Sequence, residues 1–160
     1  MILEKVLIAD DTPLVRQMLG SYVKALGYTD VLTASDGKAA VTLYKSRDID
    51  ITFLDIDMPK LNGIEALKQI KEHNKGAYVV IVSGESTLEN IELSIASGAN
   101  GFITKPFNSQ KIIEVIKNYE KQNTKTQHKQ QARQAVFSEK VDLRAAQKPK
   151  VSKEKVKNNV

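Results

Sequence analysis

Five short apolar runs alternate with five segments of helical periodicity, and this alternation limits the possible folds more than any other feature of the chain. The runs are rich in β-branched residues and end at turn residues: 6–9, 31–34, 51–54, 78–82 and 101–104. Because they are continuously apolar, they are typical of strands buried on both faces. Their strict alternation with helices predicts an α/β fold, an open and doubly wound parallel sheet covered by helices on both faces.

Residues that commonly cap helices mark where the intervening helices begin. Thr12 precedes a proline at the first helical position, and Asn62 is followed three residues later by Glu65, as in a capping box. Apolar residues recur on one face of the first helix, and the fourth helix carries Leu88 and Ile95. The predicted starts are Thr12, Asp36, Asn62, Thr87 and Asn108.

Composition excludes several classes of site. The 160 residues include no cysteine, which rules out disulfide frameworks, zinc-thiolate sites, iron–sulfur clusters and thiol catalysis. The two histidines are too few for a histidine-rich metal site. No apolar run approaches the ~18 residues that a membrane span needs, and the N-terminus lacks the basic region and cleavage site of a secretory signal. We therefore expect a cytoplasmic protein without a membrane span.

Charge divides the chain into two parts. Residues 1–120 hold 13 basic and 16 acidic side chains, whereas residues 121–160 hold 11 basic and 3 acidic ones, a net charge of +8. Aliphatic residues also disappear just after position 120. We therefore predict a folded domain over residues 1–122 and a basic C-terminal extension over 123–160, which is disordered or folds on a partner.

Residues suited to phosphate and a divalent cation follow the predicted strands. Asp10 and Asp11 follow the first strand, Asp55 the third, Ser83 the fourth and Lys105 the fifth. The carboxyl ends of the strands form the functional site in such sheets, so these side chains are expected to converge. Three carboxylates repel one another unless a cation neutralises them, and oxygen ligands without histidine or cysteine favour Mg²⁺. The cluster predicts an aspartyl-phosphate site with a carboxylate nucleophile.

These motifs, in this order and spacing, resemble the receiver domain of two-component response regulators, in particular the single-domain chemotaxis type. The resemblance covers about residues 4–120. It implies a flavodoxin-like sheet with strand order 2-1-3-4-5 and a signalling function in a phosphorelay. The motifs that carry it are Asp10-Asp11, Asp55-Ile56-Asp57-Met58-Pro59-Lys60-Leu61-Asn62-Gly63, Ser83-Gly84 and Lys105-Pro106-Phe107.

The resemblance also assigns roles to the residues at the strand ends. It makes Asp55 the phosphoacceptor, and it makes Asp11 and Asp55 side-chain ligands of Mg²⁺. Asp10 is implied as a ligand acting through water and Asp57 as a ligand through its backbone carbonyl. Lys105 is expected to pair with a phosphoryl oxygen. Such a domain is a phosphoacceptor rather than an enzyme, apart from Mg²⁺-dependent autophosphorylation and autodephosphorylation.

A conformational switch is implied by two further positions. Ser83 falls on the switch hydroxyl of the family and is expected to donate a hydrogen bond to the phosphoryl group. Phe102, three residues before Lys105, falls on the aromatic switch position, although an aromatic residue on an edge strand is also typical of partial core. The family's Lys-Pro peptide is usually cis, which Pro106 permits at ~0.5 to 1 kcal/mol.

Two other functions compete with phosphoacceptance. Asp55-Ile56-Asp57 after an apolar strand also resembles the nucleophile motif of haloacid-dehalogenase phosphatases. Against that interpretation, the motif lies on the third strand instead of the first, and the chain leaves no room for a substrate cap. A pseudo-receiver, acting only as a binding module, would keep the fold without the chemistry. The complete set of acids with Lys105 argues against that alternative.

The expected partners are proteins. The resemblance implies a sensor histidine kinase or a phosphotransfer protein as donor, and a downstream protein target that binds the face of the fourth helix, fifth strand and fifth helix. The same face is an alternative site for a homodimer contact. For the basic extension we rank a protein partner above nucleic acid, because it has no aromatic platforms or defined basic helix. Its weak apolar stripe comprises Ala132, Val136, Phe137, Val141, Leu143 and Ala146.

Overall fold

The computed structural model describes residues 2–146, and within them the chain forms five strands and five helices in strict alternation. The strands are β1 (Ile2–Ala9), β2 (Tyr28–Ala34), β3 (Ile51–Leu54), β4 (Tyr78–Ser83) and β5 (Gly101–Thr104). The helices are α1 (Pro13–Ala25), α2 (Gly37–Ser46), α3 (Gly63–His73), α4 (Leu88–Ala96) and α5 (Ser109–Ala146). The predicted number, type and order of the elements are confirmed.

All strand pairs are parallel and the sheet order is β2-β1-β3-β4-β5, as the resemblance implied. Strands β3 and β4 are buried along their whole length, because helices cover both faces of the sheet. The order reverses between β1 and β3, which are neighbours in register from Val6 opposite Ile51 to Ala9 opposite Leu54. This reversal opens a crevice at the carboxyl ends of β1 and β3.

The core consists of one apolar cluster on each face of the sheet. On one face Leu7, Leu54 and Ile81 pack with residues of α2 and α3. On the other face Ile8 and Phe53 pack with residues of α1 and α5. Successive residues of each strand therefore serve opposite clusters, which explains why the strands read as unbroken apolar runs.

The helices begin where the capping residues predict. The Asp36 and Asn62 side chains accept hydrogen bonds from backbone N–H groups three residues further on, at 2.8 and 2.9 Å. Thr87 and Asn108 do the same at 3.2 Å each. These bonds satisfy N–H groups that have no partner within the helix.

The loop between β3 and α3 folds back on the strand end. Gly63 N–H donates to the Ile56 carbonyl at 2.8 Å, and a Cβ at position 63 would clash with the Asp55 carbonyl. Lys60 has φ of 66°, so this part of the loop turns sharply in the left-handed region. This close approach requires glycine at position 63, and it brings the start of α3 against the residues that follow β3.

Helix α4 is covered far less than α3. Five of the eleven α3 residues are buried. Of the nine residues of α4, all of which the structure describes, Ser94 alone is buried. Leu88 and Ile95 are 72% and 64% exposed. The apolar periodicity of this segment therefore identifies a helix whose outer face remains uncovered.

Helix α5 is the longest element, with 38 residues. The chain divides into compact units at Glu120 and Lys121, within this helix. Residues 121–146 of the predicted basic extension are helical in backbone. The side chains of its apolar stripe, and residues 147–160, lie outside the described part. No helix within residues 2–146 is long and apolar enough to cross a membrane.

Candidate functional site

The strand ends bring the predicted residues together at one edge of the sheet. Asp10 directly follows β1, and Asp55 directly follows β3, its N–H donating to the Ala9 carbonyl at 2.9 Å. Because β1 and β3 are adjacent and in register, both aspartates emerge side by side. Lys105 follows the edge strand β5, and its N–H donates to the Ser83 carbonyl at 2.8 Å. The topology thus assembles the site from segments far apart in sequence.

Three carboxylates form the centre of the site. One oxygen each of Asp10, Asp11 and Asp55 lies within 4.8 Å of the others. Asp10 and Asp55 are buried, with 1% and 3% of their surface exposed, whereas Asp11 is open to solvent. The cluster therefore has a buried floor and one accessible side.

Lys105 supplies the compensating positive charge. Its Nζ lies 2.6 Å from Asp10 Oδ2 and 3.3 Å from Asp55 Oδ1. Burial alone would lower the pKa of Lys105, but the adjacent carboxylates outweigh burial and raise that pKa above its ordinary value. These contacts show that the ammonium group is charged and directed at the acids. The peptide between Lys105 and Pro106 is cis, as the resemblance implied.

The charge balance at Asp55 remains unfavourable even with this lysine. Burial and then the neighbouring Asp10 carboxylate raise the pKa of Asp55 to about 6, while Lys105 opposes the shift. One lysine is thus insufficient for three acids, and added positive charge at the open side would favour the carboxylate form.

The donor set fits a hard divalent cation. Asp10 Oδ1 accepts a hydrogen bond from Thr12 N–H at 2.8 Å. The buried Oδ2 of Asp10 lies 2.6 Å from Lys105 Nζ, an ammonium group that also contacts Asp55. Three carboxylates that share one ammonium group are suited to a further cation with oxygen ligands. Asp10, Asp11 and Asp55 could hold such a metal.

Asp57 follows two residues after Asp55, in the loop that precedes α3, and its side chain is exposed. Its predicted role depends on the backbone carbonyl and stays a prediction.

Ser83 ends β4, and Phe102 is the second residue of the neighbouring edge strand β5. Ser83 is fully buried, and its Oγ accepts a hydrogen bond from Glu85 N–H at 3.1 Å. Phe102 lies opposite Ile81 in the β4–β5 register and is half-buried against the core cluster of α2 and α3. A groove of about 340 Å³ beside it is lined by Phe107 and Lys111. The switching roles of Ser83 and Phe102 stay predictions.

One functional contact escapes prediction from the sequence. Arg16 Nη1 donates to the Asp10 backbone carbonyl at 2.6 Å and so fixes the end of β1. An arginine within the first helix is typical of a solvated surface, and only the turn between β1 and α1 brings this one back to the acids.

Comparison with known proteins finds one family and relatives of the same kind. Residues 6–117 match the response regulator receiver domain family. The chemotaxis protein CheY of Treponema pallidum is 38% identical over 114 residues, covering 70% of this chain and 79% of that protein. The chemotaxis protein CheY of Thermotoga maritima is 34% identical over 113 residues, covering 71% of this chain and 94% of that protein.

A solved structure is similar in both fold and sequence. A chain of the CheX–CheY–BeF3–Mg²⁺ complex from Borrelia burgdorferi is 35% identical to this one, with a TM-score of 0.68. The similarity covers 71% of this chain and 86% of that chain.

Proposed function

The chain belongs to the response regulator receiver domain family, and from this membership we propose that it accepts a phosphoryl group on Asp55 from a sensor histidine kinase or a phosphotransfer protein. It is a receiver domain of a two-component response regulator, a phosphoacceptor signalling domain rather than an enzyme. The observation that carries the proposal is the placement of Lys105 Nζ 3.3 Å from Asp55, within the three-acid cluster.

We assign the nucleophile to Asp55 because it is the carboxylate that both the lysine and the other acids surround. Its oxygen would form the new P–O bond while the P–N bond of a donor phosphohistidine breaks and the imidazole nitrogen keeps the electron pair. Lys105 would bind an oxygen of the transferred group, where its charge offsets the developing negative charge. Asp11, the exposed acid, faces the side from which the donor approaches.

Mg²⁺ is the cofactor that we propose for this cluster. Asp11 and Asp55 would bind the ion through their side chains, Asp10 through a water molecule, and Asp57 through its backbone carbonyl. The ion would supply charge neutralisation between the carboxylate and the phosphoryl group.

The output that we propose is a change in affinity for a protein target. Ser83 would donate a hydrogen bond to the phosphoryl group, and the Phe102 side chain would follow the movement of Ser83. These movements would shift the equilibrium between two conformations of the face formed by α4, β5 and α5. The Borrelia burgdorferi CheY in the solved complex is bound to another protein, CheX, which supports a protein target here. A homodimer through the same face is the alternative.

We propose that residues 1–122 carry the phosphorylation chemistry and that the basic segment 123–160 modulates the partner. We also propose a cytoplasmic location for the protein.

The test is phosphorylation by a small donor. The purified chain is incubated with acetyl phosphate and Mg²⁺, and the labelled residue is located by mass spectrometry. We expect one phosphoryl group per chain on Asp55, no label in Asp55→Asn, and no label when the metal is chelated. Asp57→Asn is the matched control, an exposed aspartate two residues away, and it should still be labelled. Many turnovers without a retained label would indicate a phosphatase instead, and retained label in Asp55→Asn would refute the assignment.

A further inference from the structure

The hydroxyl of Ser83 is held by the loop that leads into α4. Its Oγ accepts a hydrogen bond from Glu85 N–H at 3.1 Å and donates one to the Glu85 carbonyl at 3.4 Å. A serine hydroxyl has one proton to donate. For Ser83 to donate to a phosphoryl oxygen, its contact with the Glu85 carbonyl must therefore be given up.

Asn90 holds the same loop from the other side. Its side-chain Nδ2 donates to the Glu85 carbonyl at 3.1 Å, and its backbone N–H donates to Thr87 Oγ1 at 3.2 Å. Its own carbonyl accepts from Ser94 Oγ at 2.6 Å. Each of these polar groups of Asn90 thus has a partner that fixes either the loop or α4.

This series of hydrogen bonds orders a loop that otherwise has little packing around it. Residues 84–89 are exposed, and Gly84 has open space around its Cα. Ser94, the buried residue of α4, ends the series, so that Ser83, Glu85, Asn90 and Ser94 connect the phosphorylation site to the point where α4 contacts the core. Few apolar contacts compete with this polar connection in setting where the loop lies.

We propose that Asn90 is a positioning residue that restrains the switch: its amide fixes the Glu85 carbonyl where that carbonyl accepts the proton of Ser83, and so couples α4 to phosphorylation of Asp55. The inference rests on the proposed function, because it concerns the rate at which that phosphoryl group is accepted. A ligand shifts an equilibrium only through contacts that differ between the two states, and the bond from Asn90 belongs to the unphosphorylated one.

The test compares rates of labelling. Acetyl phosphate transfers its phosphoryl group to Asp55, a P–O bond to the Asp55 oxygen forming as the donor P–O bond breaks and acetate leaves. Loss of one hydrogen bond that favours the resting state should raise the labelling rate constant of Asn90→Ala by roughly fivefold. Asn118→Ala is the matched control, because Asn118 is exposed on α5, and its rate should equal that of the original chain.

A double-mutant cycle separates this coupling from a general structural effect. A Ser83→Ala variant has no hydroxyl group on which the restraint can act. In that background Asn90→Ala should change the labelling rate constant by less than about 1.5-fold. An equal acceleration in both backgrounds, or no acceleration of Asn90→Ala alone, would overturn the proposal.

A second variant keeps the test valid if Asn90→Ala does not fold. Asn90→Asp cannot donate to the Glu85 carbonyl, yet an acidic residue in the first helical turn stabilises α4. It should accelerate labelling in the same direction, and a rate at or below that of the original chain would contradict the restraint. Absence of label on the original chain would refute the proposed function itself, whereas normal labelling that Asn90 variants leave unchanged would refute the restraint alone.

Discussion

The two ends of the sheet hold their carboxylates in opposite ways. At the amino ends of the strands, Glu4 accepts a hydrogen bond from Tyr119 at 2.8 Å, and Glu120 accepts one from Tyr28 at 3.2 Å. Each of these two acids accepts from a neutral hydroxyl donor. At the carboxyl ends three acids are crowded together, and Lys105 is the cation that compensates them.

The difference indicates where the molecule gives up stability for chemistry. Satisfied hydrogen bonds at the amino ends join α5 to β1 and β2, and they create no reactive group. Crowded carboxylates at the other end raise the energy of the resting domain, and binding a cation relieves their repulsion. We therefore expect substitutions at the amino ends to change stability alone, and substitutions at the carboxyl ends to change stability and labelling separately.

The largest effect is predicted for Lys105→Met. Removal of the ammonium group leaves the buried Asp10 and Asp55 carboxylates without the cation that contacts both of them, which should lower the free energy of unfolding by about 3 kcal/mol in metal-free buffer. The rate of labelling by acetyl phosphate should fall on the order of 100-fold, because the ammonium group that offsets the negative charge of the transferred group is lost. Urea unfolding and mass spectrometry measure the two quantities.

The control for this substitution is Lys105→Arg, which keeps the charge but changes its shape. It should recover most of the stability and only part of the rate. If Lys105→Met were as stable as the original chain, the ammonium group would not compensate the buried carboxylates as its distances to them indicate.

Asp55→Asn should have the opposite effect on stability. Replacing one of three crowded carboxylates by a neutral amide of the same shape relieves repulsion, which should raise the free energy of unfolding by about 1 kcal/mol in metal-free buffer. Saturating Mg²⁺ should reduce or reverse this difference, because the original chain then has a cation among its acids. A variant less stable than the original chain without metal would show that Asp55 is well satisfied in the resting domain.

Sequence patterns predicted the sheet and the positions of its helices because both are determined locally. Continuous apolar runs identified strands buried on two faces, and caps such as Asp36 and Asn62 identified helix starts to the residue. The patterns could not show how completely each helix is covered. Leu88 and Ile95 recur at helical spacing yet remain exposed, since coverage depends on what packs against α4.

The closeness of the acids and Lys105 could also be predicted from the sequence, for a topological reason. Parallel strands place their carboxyl ends at one edge, so Asp10, Asp55 and Lys105 had to be neighbours once the strands were identified. The contacts of Arg16 and Asn90 were beyond prediction, because each depends on the path of a turn rather than on periodicity.

The amino ends of the strands are tested with Tyr28→Phe and Tyr119→Phe. Each loses one hydrogen bond to a glutamate and should lower the free energy of unfolding by about 1 kcal/mol at pH 7. The labelling rate should stay within about twofold of the original, because neither tyrosine reaches the acids. A large loss of labelling in the folded variants would contradict the separation between the two ends.

The same tyrosines predict how stability changes at high pH. Burial, reinforced by Glu120 and Glu4 respectively, raises the pKa of Tyr28 and of Tyr119 above the ordinary value of 10.0. The unfolded chain therefore loses these protons at lower pH than the folded chain, so the free energy of unfolding falls as pH rises beyond 10. The double phenylalanine variant should show a shallower fall in urea unfolding measured from pH 9 to 11.

The smallest effect is predicted for removal of residues 124–160. This truncation keeps Tyr119 and Glu120, which close the amino ends of the strands, and removes only chain beyond the compact unit that ends at Glu120. Labelling should stay within about twofold, and the free energy of unfolding should change by less than about 0.5 kcal/mol. Ending the chain at Asn118 is the contrasting variant, since it removes both hydrogen bonds to tyrosine and glutamate and should cost about 2 kcal/mol or more. If the longer truncated chain lost as much stability as the shorter one, the basic segment would belong to the folded domain and not only to its output.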